Sequence, residues 1–342
     1  MSSDARRGGV DAYSVVVPCY NAAATLPGVL RQLGRLQPPP SEVLVVDDGS
    51  SDDSAAIAKA HPGARVIALG GNHGPSKARN TGAREASSEW LLCVDSDCYV
   101  EPEGFSEALK TLGNRPDAAG LMGVFSRKTP GQPFAGRYKN YFRHLEIAAM
   151  RNPPPVFNSS CFLIRREAFL AVGGFDDRFG AIPTEDNEFY FRLVEKGFEV
   201  PYLVAFAFVH DKRLTAAQLF RDDARRATGI ILNPRGKLGT PGRSWSPREK
   251  AIWAAEIASG NGVASFPLLA GAALAWPPLG WWLGAAWLAA FAVLALLLGN
   301  KLVFAARDEG PAFAAGMFGY RVLEMVAAAV GIVRGLYTRR GA

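Results

Sequence analysis

The chain has 342 residues, of which 49% are hydrophobic and 20% charged, and it carries a formal charge of +6. That is enough apolar material for one large domain with some left over. Its four cysteines (Cys19, Cys93, Cys98 and Cys161) lack zinc spacing, and three lie in or beside apolar runs, which argues for reduced core thiols in a cytosolic domain. The charge is concentrated in residues 211–250, which hold ten Lys/Arg against four Asp/Glu. Such a block suits nucleic acid or anionic lipid. It immediately precedes residues 257–300, which contain no charged side chain, so membrane lipid is the simpler partner and no nucleic acid is expected.

Residues 1–12 are polar, without the apolar core of a signal peptide, and read as a flexible N-terminus. Tyr13-Ser14-Val15-Val16-Val17-Pro18 predicts a first strand, with Cys19-Tyr20-Asn21 as the loop at its carboxyl end. Leu26, Val29, Leu30 and Leu33 have helical spacing before the stop at Pro38-Pro39-Pro40. Val43-Leu44-Val45-Val46 then runs into Asp47-Asp48-Gly49-Ser50-Ser51-Asp52, an apolar strand meeting acids, a turn and helix-capping residues. A third short strand covers residues 64–69. The stretch from Asn72 to Gly82 enters a helix with Lys77 and Arg79 near its start, a plausible neighbour for a diphosphate.

Next comes Trp90-Leu91-Leu92-Cys93-Val94, an apolar strand ending in Asp95-Ser96-Asp97. Two acids at the edge of a sheet repel each other unless a cation accompanies them, and hard oxygen ligands suit Mg²⁺ or Mn²⁺. Alternation of strand and helix through about four units predicts a parallel sheet with helices on both faces. Gly70-Gly71 does not fit the dinucleotide fingerprint, which argues against a nicotinamide-binding Rossmann domain.

Taken together, Ser14 to Asn21, Val45-Val46-Asp47-Asp48-Gly49-Ser50, Ala78-Arg79-Asn80-Thr81-Gly82 and Asp95-Ser96-Asp97 resemble the successive signatures of family 2 glycosyltransferases, over roughly residues 13–212. The resemblance implies a GT-A fold, Rossmann-like with a mainly parallel mixed sheet, and a nucleotide-sugar donor of UDP or GDP type. On that likeness Pro18, Tyr20 and Asn21 line the base pocket, Asp48 contacts the nucleoside, and Lys77 and Arg79 approach the diphosphate. Asp95 and Ser96 would lie near the ribose or donor sugar, and Asp97 would hold the metal. His210, which closes an apolar run, sits where some members place a histidine close to metal and diphosphate; a histidine at a strand end also serves structure alone. Asn158, Ser159 and Ser160, with Thr184, resemble the acceptor side of the cleft. Glu185-Asp186 resembles the family's acidic pair at a helix start. Glycosyl transfer to an alcohol needs a base, expected to be Asp186 with Glu185 orienting the acceptor. An acidic pair there also complements the helix dipole. Residues 137–150 match nothing in the pattern and suit either a flap over the cleft or a packed helix.

The last third predicts membrane association. Residues 214–232 are amphipathic and basic, and residues 236–247 are rich in Gly, Pro and Ser. Residues 263–276 and 279–298 read as two apolar helices parted by Pro277-Pro278, with Trp276, Trp281 and Trp282 at the turn. Residues 313–337 form a third candidate, interrupted by Arg321 and Glu324, which would be paired inside a bundle or lie in the interface. The expected organisation is a flexible N-terminus (1–12), a catalytic domain (13–212), a basic interfacial segment and linker (213–256), a transmembrane hairpin (257–300), and a third membrane or interfacial helix with a basic tail (301–342). The expected activity is an inverting, metal-dependent transfer to a lipid-linked, glycolipid or cell-envelope acceptor, at the cytosolic face of the cell's inner membrane. A polyprenyl-phosphate acceptor is the rival within the class; a phosphate nucleophile needs no base, so Glu185-Asp186 counts against it. A non-catalytic membrane scaffold that binds nucleotide sugars is the rival outside it. A phosphatase that uses Asp95 as nucleophile is disfavoured, because its acids usually follow the first strand.

Overall fold

Apolar runs without interior charge make strands that can be covered on both faces. The computed structural model describes residues 10, 12–177, 185–232 and 277–340, which fall into two units. In the first unit such runs form β1 (Tyr13–Cys19), β2 (Glu42–Asp47), β4 (Trp90–Val94), β5 (Cys98–Val100), β6 (Gly120–Phe125), β7 (Cys161–Arg165) and β8 (Tyr202–His210), and the half-exposed β3 (Ala64–Ala68), which carries Arg65, completes the set. They make one sheet in the order β3-β2-β1-β4-β7-β6-β8-β5. The first four strands are parallel, as the alternation of strand and helix predicts. β7 then runs antiparallel to both β4 and β6, and β5 runs antiparallel to β8.

β4 is the hinge of this arrangement. All five of its residues are buried, and it pairs in parallel with β1 on one side and antiparallel with β7 on the other. Strand direction therefore changes beside the carboxyl end of β4, and ligands of open α/β sheets gather where the strand order switches.

Alternate side chains feed two cores. Val15, Val17, Leu92 and Val94 point to one, packed with Leu26, Val29, Leu30 and Leu33 of α1 (Leu26–Leu33), Ala58 of α2 (Ser54–Ala60) and Phe105, Ala108 and Leu112 of α4 (Pro102–Gly113). Val16, Val46, Leu91 and Cys93 point to the other, with Ala78 and Ala83 of α3 (Pro75–Glu85), Phe169 of α6 (Arg166–Ala171) and Phe189, Tyr190 and Leu193 of α7 (Glu185–Glu195). Helix α3 lies close on the sheet at Gly82, where a Cβ would stand 2.3 Å from Cγ1 of Val16. Residues 134–148 form α5 (Phe134–Ala148), a helix rather than a flap, with Asn140, Tyr141 and Phe142 buried.

The second unit contains the start of α5, α8 (Ala216–Leu232), α9 (Pro277–Asp308) and α10 (Pro311–Arg340). Pro277 opens α9 where its missing N–H costs nothing. The helix continues through Lys301 to Asp308, ten residues past the end read from the sequence. Helix α10 packs against α8, closely enough that a Cβ on Gly331 would stand 2.2 Å from the Ala224 carbonyl oxygen. Its two interior charges are paired: Arg321 Nη1 lies 2.9 Å from Glu324 Oε2, both side chains are buried, and the Tyr138 hydroxyl also donates to Glu324. Arg137 and Glu309 form another ion pair at 2.5 Å. The linker expected at residues 236–247 and the apolar helix expected at 263–276 lie outside the described residues, as does Thr184.

Candidate active site

The loops beyond the carboxyl ends of β1, β2 and β4 carry Tyr20, Asn21, Asp48, Asp95, Ser96 and Asp97. After β1, Tyr20 is 47% exposed, and Asn21 takes a left-handed backbone conformation (φ 49°) that asparagine tolerates better than most residues. Its Oδ1 accepts the Ser51 N–H at 2.8 Å, and its own N–H donates to Ser50 Oγ at 3.0 Å, tying the β1 loop to the β2 loop. Asp48 is buried. Its two carboxylate oxygens accept the N–H groups of His73 at 2.8 Å and Gly74 at 2.7 Å, so it fixes the loop that leads into α3. Lys77, in the first turn of α3, is partly exposed and lies 3.5 Å from Asp177.

Arg79 sits one residue pair further along α3 and is 3% exposed, deeper than a solvent-facing diphosphate ligand would be. Its Nη2 meets Asp95 Oδ1 at 2.5 Å, and its guanidinium lies over the Phe175 ring at 5.3 Å. Burial works against the charge, but Asp95 and then Glu185 outweigh it and raise the guanidinium pKa. Nε and Nη1 of Arg79 have no hydrogen-bond partner, and neither has the buried Nδ2 of Asn158. Buried donors left unsatisfied are rare in folded proteins.

Asp95 is placed by its backbone N–H, which donates to the Ser160 carbonyl at 2.9 Å. That bond brings the β4 terminus against Asn158, Ser159 and Ser160, the loop before β7. The Ser96 carbonyl accepts the Thr25 hydroxyl at 2.8 Å. On the far side, Glu185 and Asp186 are the first two residues of α7, both half-buried, and Glu185 is electrostatically coupled to Arg79. The next residue, Asn187, accepts the Phe157 N–H at 2.9 Å, which anchors the helix start beside the same loop.

Asp97 and His210 meet across 113 residues of sequence, with His210 Nε2 3.2 Å from the Asp97 carboxylate. The backbone repeats the link, since the Asp211 N–H donates to the Asp97 carbonyl at 2.7 Å. Burial opposes ionisation of Asp97, but His210, then Lys212 and the Cys98 thiol, hold its pKa below the usual carboxylate range. One carboxylate oxygen of Asp97, Sγ of Cys98 and a ring nitrogen of His210 lie within 4.8 Å of one another, a donor set able to hold a divalent cation.

The sequence reading missed three parts of this frame. Cys98 reads from the sequence only as a core thiol. Asn140, in the stretch that matched nothing, clasps the His210 backbone: Oδ1 accepts its N–H at 2.9 Å and Nδ2 donates to its carbonyl at 2.8 Å. Gln132 donates to the same carbonyl at 3.0 Å. No local pattern announces a clasp between a helix and a strand end 70 residues away, although an amide amid aromatic residues is the kind of buried polar group that needs such a partner.

Residues 14–173 match the glycosyl transferase family 2 model. The chain is 34% identical over 155 residues to the succinoglycan biosynthesis protein ExoO of Rhizobium meliloti, a match covering 44% of this chain and 43% of that protein. It thus spans less than half of that relative's length. It is 25% identical over 237 residues to the N-acetylglucosaminyl-diphospho-decaprenol L-rhamnosyltransferase of Mycobacterium tuberculosis, covering 59% of this chain and 76% of that one. In fold it is similar to the mannosyltransferase PcManGT from Pyrobaculum calidifontis, solved with GDP-Man and Mn²⁺, at a TM-score of 0.53 and 21% identity, over 94% of this chain and 86% of that one. The mixed sheet, its flanking helices and the ordered motifs beyond β1, β2 and β4 make residues 14–173 a family 2 glycosyltransferase domain on a GT-A fold.

Proposed function

We propose that the protein moves a sugar, with inversion, from a UDP- or GDP-type donor to a hydroxyl of a lipid-linked, glycolipid or cell-envelope polysaccharide acceptor. The observation that carries this reading is the meeting of Asp97 with His210 beyond β4, close in sequence to the Asp95 carboxylate that Arg79 holds. Asp97 and His210 would bind Mg²⁺ or Mn²⁺, which would neutralise the charge of the departing nucleoside diphosphate. The Asp97 oxygens suit either ion, the His210 imidazole favours Mn²⁺ over Mg²⁺, and the remaining positions suit phosphate oxygens.

The remaining residues bind and orient. Pro18, Tyr20 and Asn21 line the base pocket, Asp48 shapes its floor by holding the 73–74 loop, and Lys77 faces the diphosphate. Asp95 and Ser96 contact the ribose or donor sugar. Arg79 acts on Asp95 and Glu185 rather than directly on phosphate. Asn158, Ser159, Ser160 and Thr184 receive the acceptor, Glu185 orients it, and Asp186 takes the hydroxyl proton as the oxygen attacks the anomeric carbon and the bond to diphosphate breaks.

The apolar helices of the second unit support the reading of a lipid-borne acceptor at the cytosolic membrane face. Helices α9 and α10 each contain a segment long and apolar enough to cross a bilayer. Eleven of the fourteen exposed large apolar side chains among the described residues are on these two helices, among them Trp282, Leu288, Leu296 and Val333. The rhamnosyltransferase relative is named for a decaprenol-linked acceptor.

The test is nucleoside diphosphate release from a panel of nucleotide sugars by detergent-solubilised protein, with and without divalent cation and lipid acceptors. One donor should be turned over, and Asp186→Asn should lower kcat by about 10²- to 10⁴-fold while leaving donor affinity in place. Full activity of Asp186→Asn would remove it as the base.

A further inference from the structure

The residue that follows Asp97 belongs to the same cluster. β5 begins at Cys98, and the antiparallel register sets Cys98 directly opposite His210 on β8. Directly opposed residues carry their side chains on one face of a sheet, with Cβ atoms about 4.5–5.5 Å apart. Cys98 Sγ lies 3.7 Å from Asp97 Oδ1, and His210 Nε2 lies 3.2 Å from the same oxygen. All three donors fall within 4.8 Å of one another, a spread that a single cation with bonds of about 2.0–2.3 Å can bridge.

The cluster is held in place from outside. Cys98 is 1% exposed and paired through β5, and Asn140, itself 1% exposed, clasps both backbone groups of His210. The Phe125 ring stacks on the His210 imidazole at 5.8 Å, which limits how the ring can turn. Partners that fix a ligand's orientation raise metal affinity. The metal-binding reading above has no use for the sulfur, because Mg²⁺ takes oxygen ligands.

We propose that Asp97, Cys98 and His210 form a three-ligand site for a thiophilic divalent cation such as Zn²⁺ or Co²⁺, at the position assigned above to Mg²⁺ or Mn²⁺. The proposal rests on that assignment for Asp97 and His210, and adds Cys98. As the cation binds, the Cys98 S–H bond breaks, its proton passes to solvent, and a sulfur–metal bond forms. A carboxylate, an imidazole and a thiolate are donors that zinc and cobalt accept together, and affinity rises from Mn²⁺ through Co²⁺ toward the end of the first-row series. A fourth position stays open for water or a phosphate oxygen. The site therefore binds Zn²⁺ and Co²⁺ more tightly than Mg²⁺, and these ions compete with Mg²⁺ for it.

Co²⁺ titration of the purified full-length protein reads the bond directly, through the thiolate-to-cobalt charge-transfer band in the near ultraviolet. Wild type should show the band, and Cys19→Ser should keep it. Cys98→Ser and Cys98→Ala, each checked for native circular dichroism, should lose it, with Co²⁺ affinity reduced at least about tenfold and Mg²⁺ affinity unchanged. No band in wild type, or a band that persists in either folded Cys98 variant, overturns the proposal. Should neither Cys98 variant fold, Asp97→Asn decides: it should weaken Co²⁺ binding as read by the same band, and unchanged binding refutes the cluster. Mn²⁺ binding followed by electron paramagnetic resonance separates the two readings. If Asp97→Asn abolishes Mn²⁺ binding while the cobalt band is missing, only the role of Cys98 falls. If Mn²⁺ binding does not depend on Asp97, the shared metal assignment falls with it.

Discussion

Asn80 and Phe175 meet 95 residues apart through both ends of one amide. Nδ2 donates to the Phe175 carbonyl at 2.7 Å, and Oδ1 accepts the Phe175 N–H at 2.8 Å. The pair is buried, and it fixes the ring over which the Arg79 guanidinium lies. A single residue of α3 thereby sets the loop on which its neighbour Arg79 rests, and through Arg79 the position of Asp95. The same device recurs where Asn140 clasps His210.

Replacing Asn80 by Ala leaves two buried backbone groups unpaired, each costing about 1–3 kcal/mol. We therefore expect Asn80→Ala to lower unfolding stability by at least about 2 kcal/mol, measured by chemical denaturation of the solubilised protein. Asn80→Asp should lose at least as much, because its second carboxylate oxygen replaces the donor and faces the Phe175 carbonyl oxygen in a buried site. A loss below about 1 kcal/mol in both variants would contradict the clasp.

Gly82 closes the same motif for a different reason. A Cβ there would stand 2.3 Å from Cγ1 of Val16 and 3.2 Å from Cγ2 of Val46, so α3 approaches the sheet where no side chain fits. Overpacking of this kind typically costs about 1–3 kcal/mol. Gly82→Ala should lower the melting temperature, and Val16→Ala in the same chain should restore part of the loss, since it removes the atom met first. A double variant no better than the sum of the singles would place the strain elsewhere.

Glu42 gives the fold a pH dependence. One of its carboxylate oxygens accepts the Ser87 N–H at 2.7 Å, the Ser87 hydroxyl at 2.6 Å and the Ser14 hydroxyl at 2.8 Å. Burial would raise its pKa, but the bonds from Ser87 and Ser14, aided by Arg65, hold it below the ordinary range of a glutamate. A carboxylate depressed in the folded state stabilises it fully above the unfolded pKa and loses that contribution as pH falls through the folded value. Glu42→Gln should therefore be less stable than wild type at neutral pH, and the difference should shrink as the solution is acidified below about 4.5. A difference that grows with acid would reverse the sign and refute it.

How much of this was legible beforehand depended on range. β1, β2 and β4 announce themselves as apolar runs rich in Val and Leu, and the acids after β4 point to a cation because like charges must be reconciled. The helical start at Glu185 was visible in the same way. Arg79 reads as a diphosphate neighbour from its place near a helix start, but its burial depends on Phe175 and Asp95, which local sequence does not bring together. Asp48 likewise reads as a ligand-facing acid, yet both its oxygens are engaged by the 73–74 loop. The pairing of Cys98 with His210 is a matter of register between β5 and β8, set by tertiary packing of a three-residue strand too short to predict.

The most direct measurement is Mn²⁺ affinity, by electron paramagnetic resonance, in the presence of a nucleoside diphosphate, for wild type, Asp97→Asn and His210→Ala. The account predicts saturable binding in wild type that tightens with the diphosphate and weakens at least about tenfold in each variant. Binding of equal strength in wild type and Asp97→Asn would contradict a metal-dependent site at the end of β4.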